Sequence, residues 1–189
     1  MKTANRILLA ALFVFLVTGL AFGQTMKLPG AIPKDAQLVE QDGDFTYYRI
    51  PEDGEAFNAM WGNGQSARAQ GQESSADPVW MFDVMTNDTQ GYTNFSFKTG
   101  ETVIHALEFA LSSDATVITK WIVKWGPEAW TFTSKPKSLK KGYYLVTTSV
   151  NKSKIYKQPG NYLFKGSALA NGLKPNLYNT DTFKFWVTQ

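Results

Sequence analysis

Apolar and polar residues alternate with a period of two from Val79 onward, in short runs separated by turn residues about every ten positions. Val117, Thr119, Trp121, Val123 and Trp125 fall on one side of such a run, and Ile118, Lys120, Ile122 and Lys124 fall on the other. Near the end, Phe183, Phe185 and Val187 oppose Thr182, Lys184 and Trp186. The pattern predicts strands at Val79 to Met85, Tyr92 to Phe97, Thr102 to Leu111, Thr116 to Trp125, Trp130 to Thr133, Tyr143 to Val150, Tyr162 to Leu169 and Thr182 to Val187. Val103 to Leu111 also has helical spacing, but β-branched Thr102, Val103 and Ile104 favour strand. Upstream, Phe45 to Ile50 reads as a strand stopped by Pro51 and Asp53-Gly54. Gln24 to Asp44 reads as an extended lead-in with at most one short strand, and Gly62 to Asp77 as a long loop.

With no helix-rich interval to carry parallel crossovers, these strands predict an all-β antiparallel β-sandwich preceded by an extended N-terminal segment. The expected organisation is a signal peptide over 1–23, a lead-in and Gly/Gln/Ser-rich loop over 24–78, and the sandwich over 79–189. Lys2 and Arg6 precede a run of fourteen largely apolar residues from Ile7 to Leu20, followed by small Ala21 and Gly23. That run is shorter than the ~20 residues needed to cross a hydrocarbon core, so cleavage near Gly23, before Gln24, is expected. The expected product is secreted or periplasmic, without a membrane span. The absence of cysteine excludes a lipidated cysteine, and a disulfide-free exported chain fits bacterial export.

Residues Phe97 to Gln189, about half the chain, resemble a bacterial immunoglobulin-like or fibronectin-III-like domain. Gly142-Tyr143-Tyr144 opens one strand, Pro159-Gly160-Asn161-Tyr162 opens the next, and Thr182 to Val187 closes the unit. The resemblance implies an immunoglobulin-like sandwich, without the paired core cysteines of antibody domains. It implies no chemistry, because such folds host adhesion, sugar binding, assembly and plain spacing.

No catalytic constellation is legible. His105 is the only histidine, and no Gly-x-Ser-x-Gly turn surrounds Ser112 or Ser113 before Asp114. Nothing in the spacing of Glu101, Glu108 and Glu128 selects an acid pair. One His and no Cys leave too few ligands for a typical zinc or copper site. Asp42-Gly43-Asp44 and Glu52-Asp53-Gly54-Glu55 read as turns rather than calcium loops. The expectation is therefore a non-enzymatic protein without cofactor or metal.

Charge and aromatics carry more. The formal net charge of +3 falls to +1 once Lys2 and Arg6 leave with the leader. That small sum hides a segregation: Lys34 to Gln90 has eleven acids against three bases, whereas Lys135 to Gln189 has ten lysines and one acid, Asp181. Lys135, Lys137, Lys140, Lys141, Lys152, Lys154 and Lys157 form a candidate basic face. The acidic segment either packs on it within one molecule or meets it on the next, a head-to-tail contact that propagates. Lysines without arginines give diffuse attraction, so nucleic acid is not expected. Of six tryptophans, Trp121 is the choice for the core, while Trp61, Trp80, Trp125 and Trp130 are candidate platforms for a sugar ring or a protein. A protein partner or self-association is the first expectation, and a carbohydrate-binding module the second.

Overall fold

The computed structural model describes residues 32–55, 57–58, 77–87, 94–149, 156–176 and 179–189. The expected leader, Trp61, Lys152 and Lys154 lie outside the described residues. Among the described residues run β1 (Gln37–Asp42), β2 (Phe45–Ile50), β3 (Val79–Asn87), β4 (Ser96–Lys98), β5 (Ile104–Leu111), β6 (Ala115–Trp125), β7 (Glu128–Thr133), β8 (Lys137–Leu139), β9 (Gly142–Ser149), β10 (Gly160–Ala170) and β11 (Thr180–Thr188). They form an all-β sandwich. One sheet has the order β1-β2-β9-β5-β3, and the other β4-β11-β10-β6-β7 with β8 also on β6. Neighbours are antiparallel apart from β4, which runs parallel to β11.

After β3 the chain changes sheets at β4, and β6, β10 and β11 lie side by side in the second sheet. Trp121 sits on β6 with no exposed surface. Its indole packs against Phe45, His105 and Phe164, with ring centroids 5.8, 5.6 and 5.2 Å away. Two tyrosines at strand starts bond back to the carbonyl four residues earlier. The Tyr162 hydroxyl donates to Gln158 O at 2.9 Å, and that of Tyr144 to Lys140 O at 2.6 Å. These corners explain the Tyr after each Gly turn, since the ring fills the core while its hydroxyl ties down the approaching chain. At Gly166 the layers meet closely, because an added Cβ would lie 2.4 Å from Leu107 Cδ1 and 2.6 Å from Val84 Cγ1.

Two strands that precede Val79 belong to the sandwich: β2 lies along β9 and carries β1 on its other side. Its inward Phe45 and Tyr47 enter the main core, and the Tyr47 hydroxyl reaches Thr119 Oγ1 on the facing sheet at 2.7 Å. Near the start of β3, buried Asp77 accepts from Asn176 Nδ2 at 2.9 Å and Asn179 Nδ2 at 2.7 Å, and caps Val79 N at 3.0 Å. This amide network fastens β3 to the segment entering β11.

The two outer faces differ. On the first sheet, Ile50, Met85, Ala106, Ala110, Tyr143 and Leu145 form a second buried cluster, against which Ala36 and Phe57 pack. β5 is therefore enclosed on both faces, which accounts for its near-continuous apolar run and its helix-like spacing in sequence. The outer face of the second sheet carries the polar half of the alternation in β6, β10 and β11.

Candidate functional site

Three lysines of the expected basic stretch, Lys135, Lys137 and Lys140, are paired with carboxylates of the same chain. β8 pairs with β6 so that Lys137 lies opposite Val117, an inward position, and its ammonium reaches across the sandwich edge to β1. There it pairs with Glu40 and, at 3.3 Å, with Asp42. Lys135 approaches the same Asp42 carboxylate at 3.6 Å, and Lys140 holds Asp114 at 2.8 Å. Against an opposing desolvation, the hydrogen bonds from Lys137 and the Lys135 N–H hold the Asp42 carboxyl below its ordinary range. Hydrogen bonds from Lys140 and the Lys141 N–H do the same for Asp114. Lys137 is buried and its hydrogen bond to Glu40 raises it. Of the two arrangements expected for the acidic segment, the contact within one molecule is the one these residues make. Lys141 and Lys157 are exposed.

The candidate aromatic platforms are also placed differently from one another. Trp125 and Trp130 lie on inward positions of the β6–β7 hairpin and pack, half-buried, against the core. Trp125 stacks with Tyr162 at 6.2 Å. Gly160, at φ 142°, leaves room for it, since a Cβ there would lie 2.8 Å from Trp125 Nε1. Trp80 is half-buried on β3, opposite Ala110.

A second set of lysines gathers on the open face. β10 lies between β6 and β11, with Leu163 opposite both Lys124 and Lys184, and Ser167 opposite Lys120. Lys165 is thus diagonal to Lys120, Lys124 and Lys184, at about 7–8 Å across neighbouring strands. Lys184, Lys165 and Lys120 fall on one oblique line of about 16 Å, with Lys124 on its flank. Trp186 stands two residues beyond Lys184, opposite Asn161 and Ser96, and is 50% exposed. No Asp or Glu occupies an outward position on β4, β6, β7, β10 or β11, and none of the ion pairs among the described residues involves these four lysines. Even with ammoniums splayed to ~8 Å, each lysine pair costs about half a kcal/mol in water. An anion laid across the face relieves that repulsion. Half-buried Ile122 and Leu163 occupy outward positions among the lysines, opposite Lys165 and opposite Lys124 and Lys184 respectively.

The groups considered for catalysis do not converge. His105 is fully buried among Trp121, Phe164 and Tyr156, and the Tyr156 hydroxyl meets its Nε2 at 2.6 Å. Ser112 lies past the far end of β5, about 23 Å along the strand from His105, and its hydroxyl donates to Pro78 O at 3.3 Å. Glu101 accepts from Lys98 N in the β4–β5 turn, Glu108 is buried on the first sheet, and Glu128 begins β7 on the second. Asp83 lies opposite Glu108. Desolvation by the surrounding protein, with the Asp181 charge second, pushes the Asp83 carboxyl up to about 6, although the residue as a whole is exposed. Asp42-Gly43-Asp44 forms the β1–β2 turn, with Gly43 at φ 59°. No group of three or more metal-ligating side chains occurs among the described residues. No helix among them is long and apolar enough to cross a membrane.

No family model and no curated protein matches this chain. Among solved structures, the C-terminal domain of Wzt is similar at TM-score 0.45 and 13% identity, over 60% of this chain and 75% of that domain. The alkylpurine DNA glycosylase AlkC of Pseudomonas fluorescens is similar at TM-score 0.42 and 13% identity, over 71% of this chain and 39% of the glycosylase. A CARDB domain of Pyrococcus furiosus is similar at TM-score 0.35 and 12% identity, over 57% of this chain and 94% of that domain. Likenesses of this size say nothing of function; the strand pairing itself defines the sandwich.

Proposed function

We propose that the chain is an exported, non-enzymatic binding protein whose contact surface is the outer face of the second sheet. Export rests on the basic and apolar pattern of the first 23 residues. The observation that carries the contact surface is the set Lys120, Lys124, Lys165 and Lys184, gathered by three adjacent strands on a face with no outward carboxylate. Such a face concentrates positive potential and attracts an anionic partner, an effect that salt screens with a decay length of about 10 Å at 0.1 M.

Two variants of the chain without its leader test this, because both change net charge equally. Lys124→Glu with Lys165→Glu reverses the open face, whereas Lys135→Glu with Lys140→Glu reverses the exposed members of the paired set. On a sulfated cation-exchange matrix near neutral pH, the first variant is expected to elute well before the wild type and the second to stay close to it. Equal loss in both would mean that net charge alone governs retention and would remove the reading.

Self-association is a second reading, favoured by one observation. Glu52, Asp53 and Glu55 are exposed beside the first sheet, where Phe57 packs on Tyr143 at 4.7 Å. They offer the lysine face of another copy an opposite charge. Sedimentation velocity at low and high salt tests it, and a monomer under every condition excludes it.

A further inference from the structure

We propose that the ligand of this face is a linear polysaccharide bearing carboxylates, with one sugar ring stacked on Trp186 and acid groups ranged over Lys184, Lys165 and Lys120. This rests on the outer sheet face being the contact surface, and it adds the chemistry of the ligand.

Trp186 is the starting point. The exposed large apolar side chains among the described residues are Ile32, Leu38, Val39, Phe95 and Trp186, and Trp186 alone belongs to this face. Its indole stands on a β-strand, beside the exposed amide of Asn161 and two residues from Lys184. A flat aromatic surface flanked by an amide and an ammonium matches a sugar ring, which offers C–H groups to the indole face and hydroxyls to its edge. Exposed Thr131 and Thr182 add hydroxyl partners along the same face.

The cations define the rest of the ligand. All four are lysines, whose compact charges lack the planar fork with which arginine grips phosphate. Arg49 belongs to the first sheet and donates to Lys141 O at 3.0 Å. Point charges spaced along a straight track suit repeating carboxylates on a semi-flexible chain. A protein partner fits less well, because the cores of protein interfaces are depleted in lysine. The outward aliphatic groups here, Ile122 and Leu163, are half-buried in a flat strand surface and separated by lysines. A flat sheet face accepts the side of a long chain rather than its end.

Affinity measurements with polygalacturonate, neutral dextran and single-stranded DNA, at low and high salt, test the proposal on wild type, Trp186→Ala, Trp186→Phe and Lys165→Glu. Polygalacturonate is expected to bind and dextran not. Trp186→Ala and Lys165→Glu should each weaken binding about tenfold, with Trp186→Phe restoring most of the loss and no variant melting below the wild type. Unchanged polygalacturonate affinity in Trp186→Ala, with a loss in Lys165→Glu, would overturn the sugar platform while leaving the contact surface standing. DNA bound more tightly than polygalacturonate would make the ligand a nucleic acid and overturn the proposal. No binding of any polyanion by the wild type would remove the contact surface itself.

Discussion

Two groups of lysines lie on the same sandwich and have opposite fates. Lys135, Lys137 and Lys140 are close in sequence and reach carboxylates of their own chain, Asp42, Glu40 and Asp114. Lys120, Lys124, Lys165 and Lys184 are scattered over three strands, yet the sheet gathers them on a face with no outward acid. Density of charge along a sequence therefore says little about the field a protein presents. What matters is which lysines a partner within the fold has already neutralised.

The comparison breaks most severely at Lys137. Lys137→Glu sets a third carboxylate beside Glu40 and Asp42 at the sandwich edge, and thermal melting should show the largest loss among single charge changes. Lys165→Glu relieves repulsion from three neighbouring lysines on the open face and should leave stability unchanged or raised. Equal melting temperatures for the two variants would erase the distinction between paired and unpaired lysines.

The opposite edge of the sandwich is fastened without lysine, by Asp77, Asn176 and Asn179. Asp77→Ala strips the acceptor from the buried Asn179 amide and from Asn176 and should cost about 1–3 kcal/mol in urea unfolding. That loss should persist at high salt, where the exposed Lys135 and Lys140 contacts weaken. A cost that vanished in salt would contradict a hydrogen-bonded fastening. On the open face, single neutralisations should be milder: Lys120→Gln lowers polyanion affinity a few-fold and leaves the melting temperature in place.

A smaller effect than the loss of Asp77 is the response to acid. Asp83 is raised to about 6 in the folded chain, above its unfolded value near 4. The native state therefore binds the extra proton, so stability rises as pH falls from about 6 to about 4 and is lost again as pH rises through that window. Solvent contact keeps the gain below about 1 kcal/mol. Asp83→Asn should flatten the profile there, as read from melting temperatures at pH 7 and pH 5. Below that window, Asp42 and Asp114, held low by their lysines, pull stability down when protonated.

Much of the fold was legible because alternation is local. Phe45–Ile50 was read with the bounds it has, Trp121 was recognised as the core indole, and β5 was read as strand despite its helical spacing. β1 falls in the lead-in where at most one short strand was expected, and its bounds were not legible because an edge strand exposed almost throughout carries no burial rhythm; β8 escaped because three residues are too few for one. The outward placement of Lys120, Lys124, Lys184 and Trp186 was readable strand by strand. Their gathering was not, since it depends on β10 lying between β6 and β11 in a register that puts Lys165 at the centre. Likewise the inward turn of Lys137 follows from its pairing with Val117, which no neighbouring residue announces.

The most direct measurement is the backbone and indole chemical-shift map of the mature protein titrated with a short polygalacturonate oligomer. The account predicts perturbations confined to β6, β10 and β11, at Lys120, Lys124, Lys165 and Lys184 and at the Trp186 Nε1–H. Shifts centred instead on Lys135, Lys140 and Lys141, or spread over both faces of the sandwich, would contradict it.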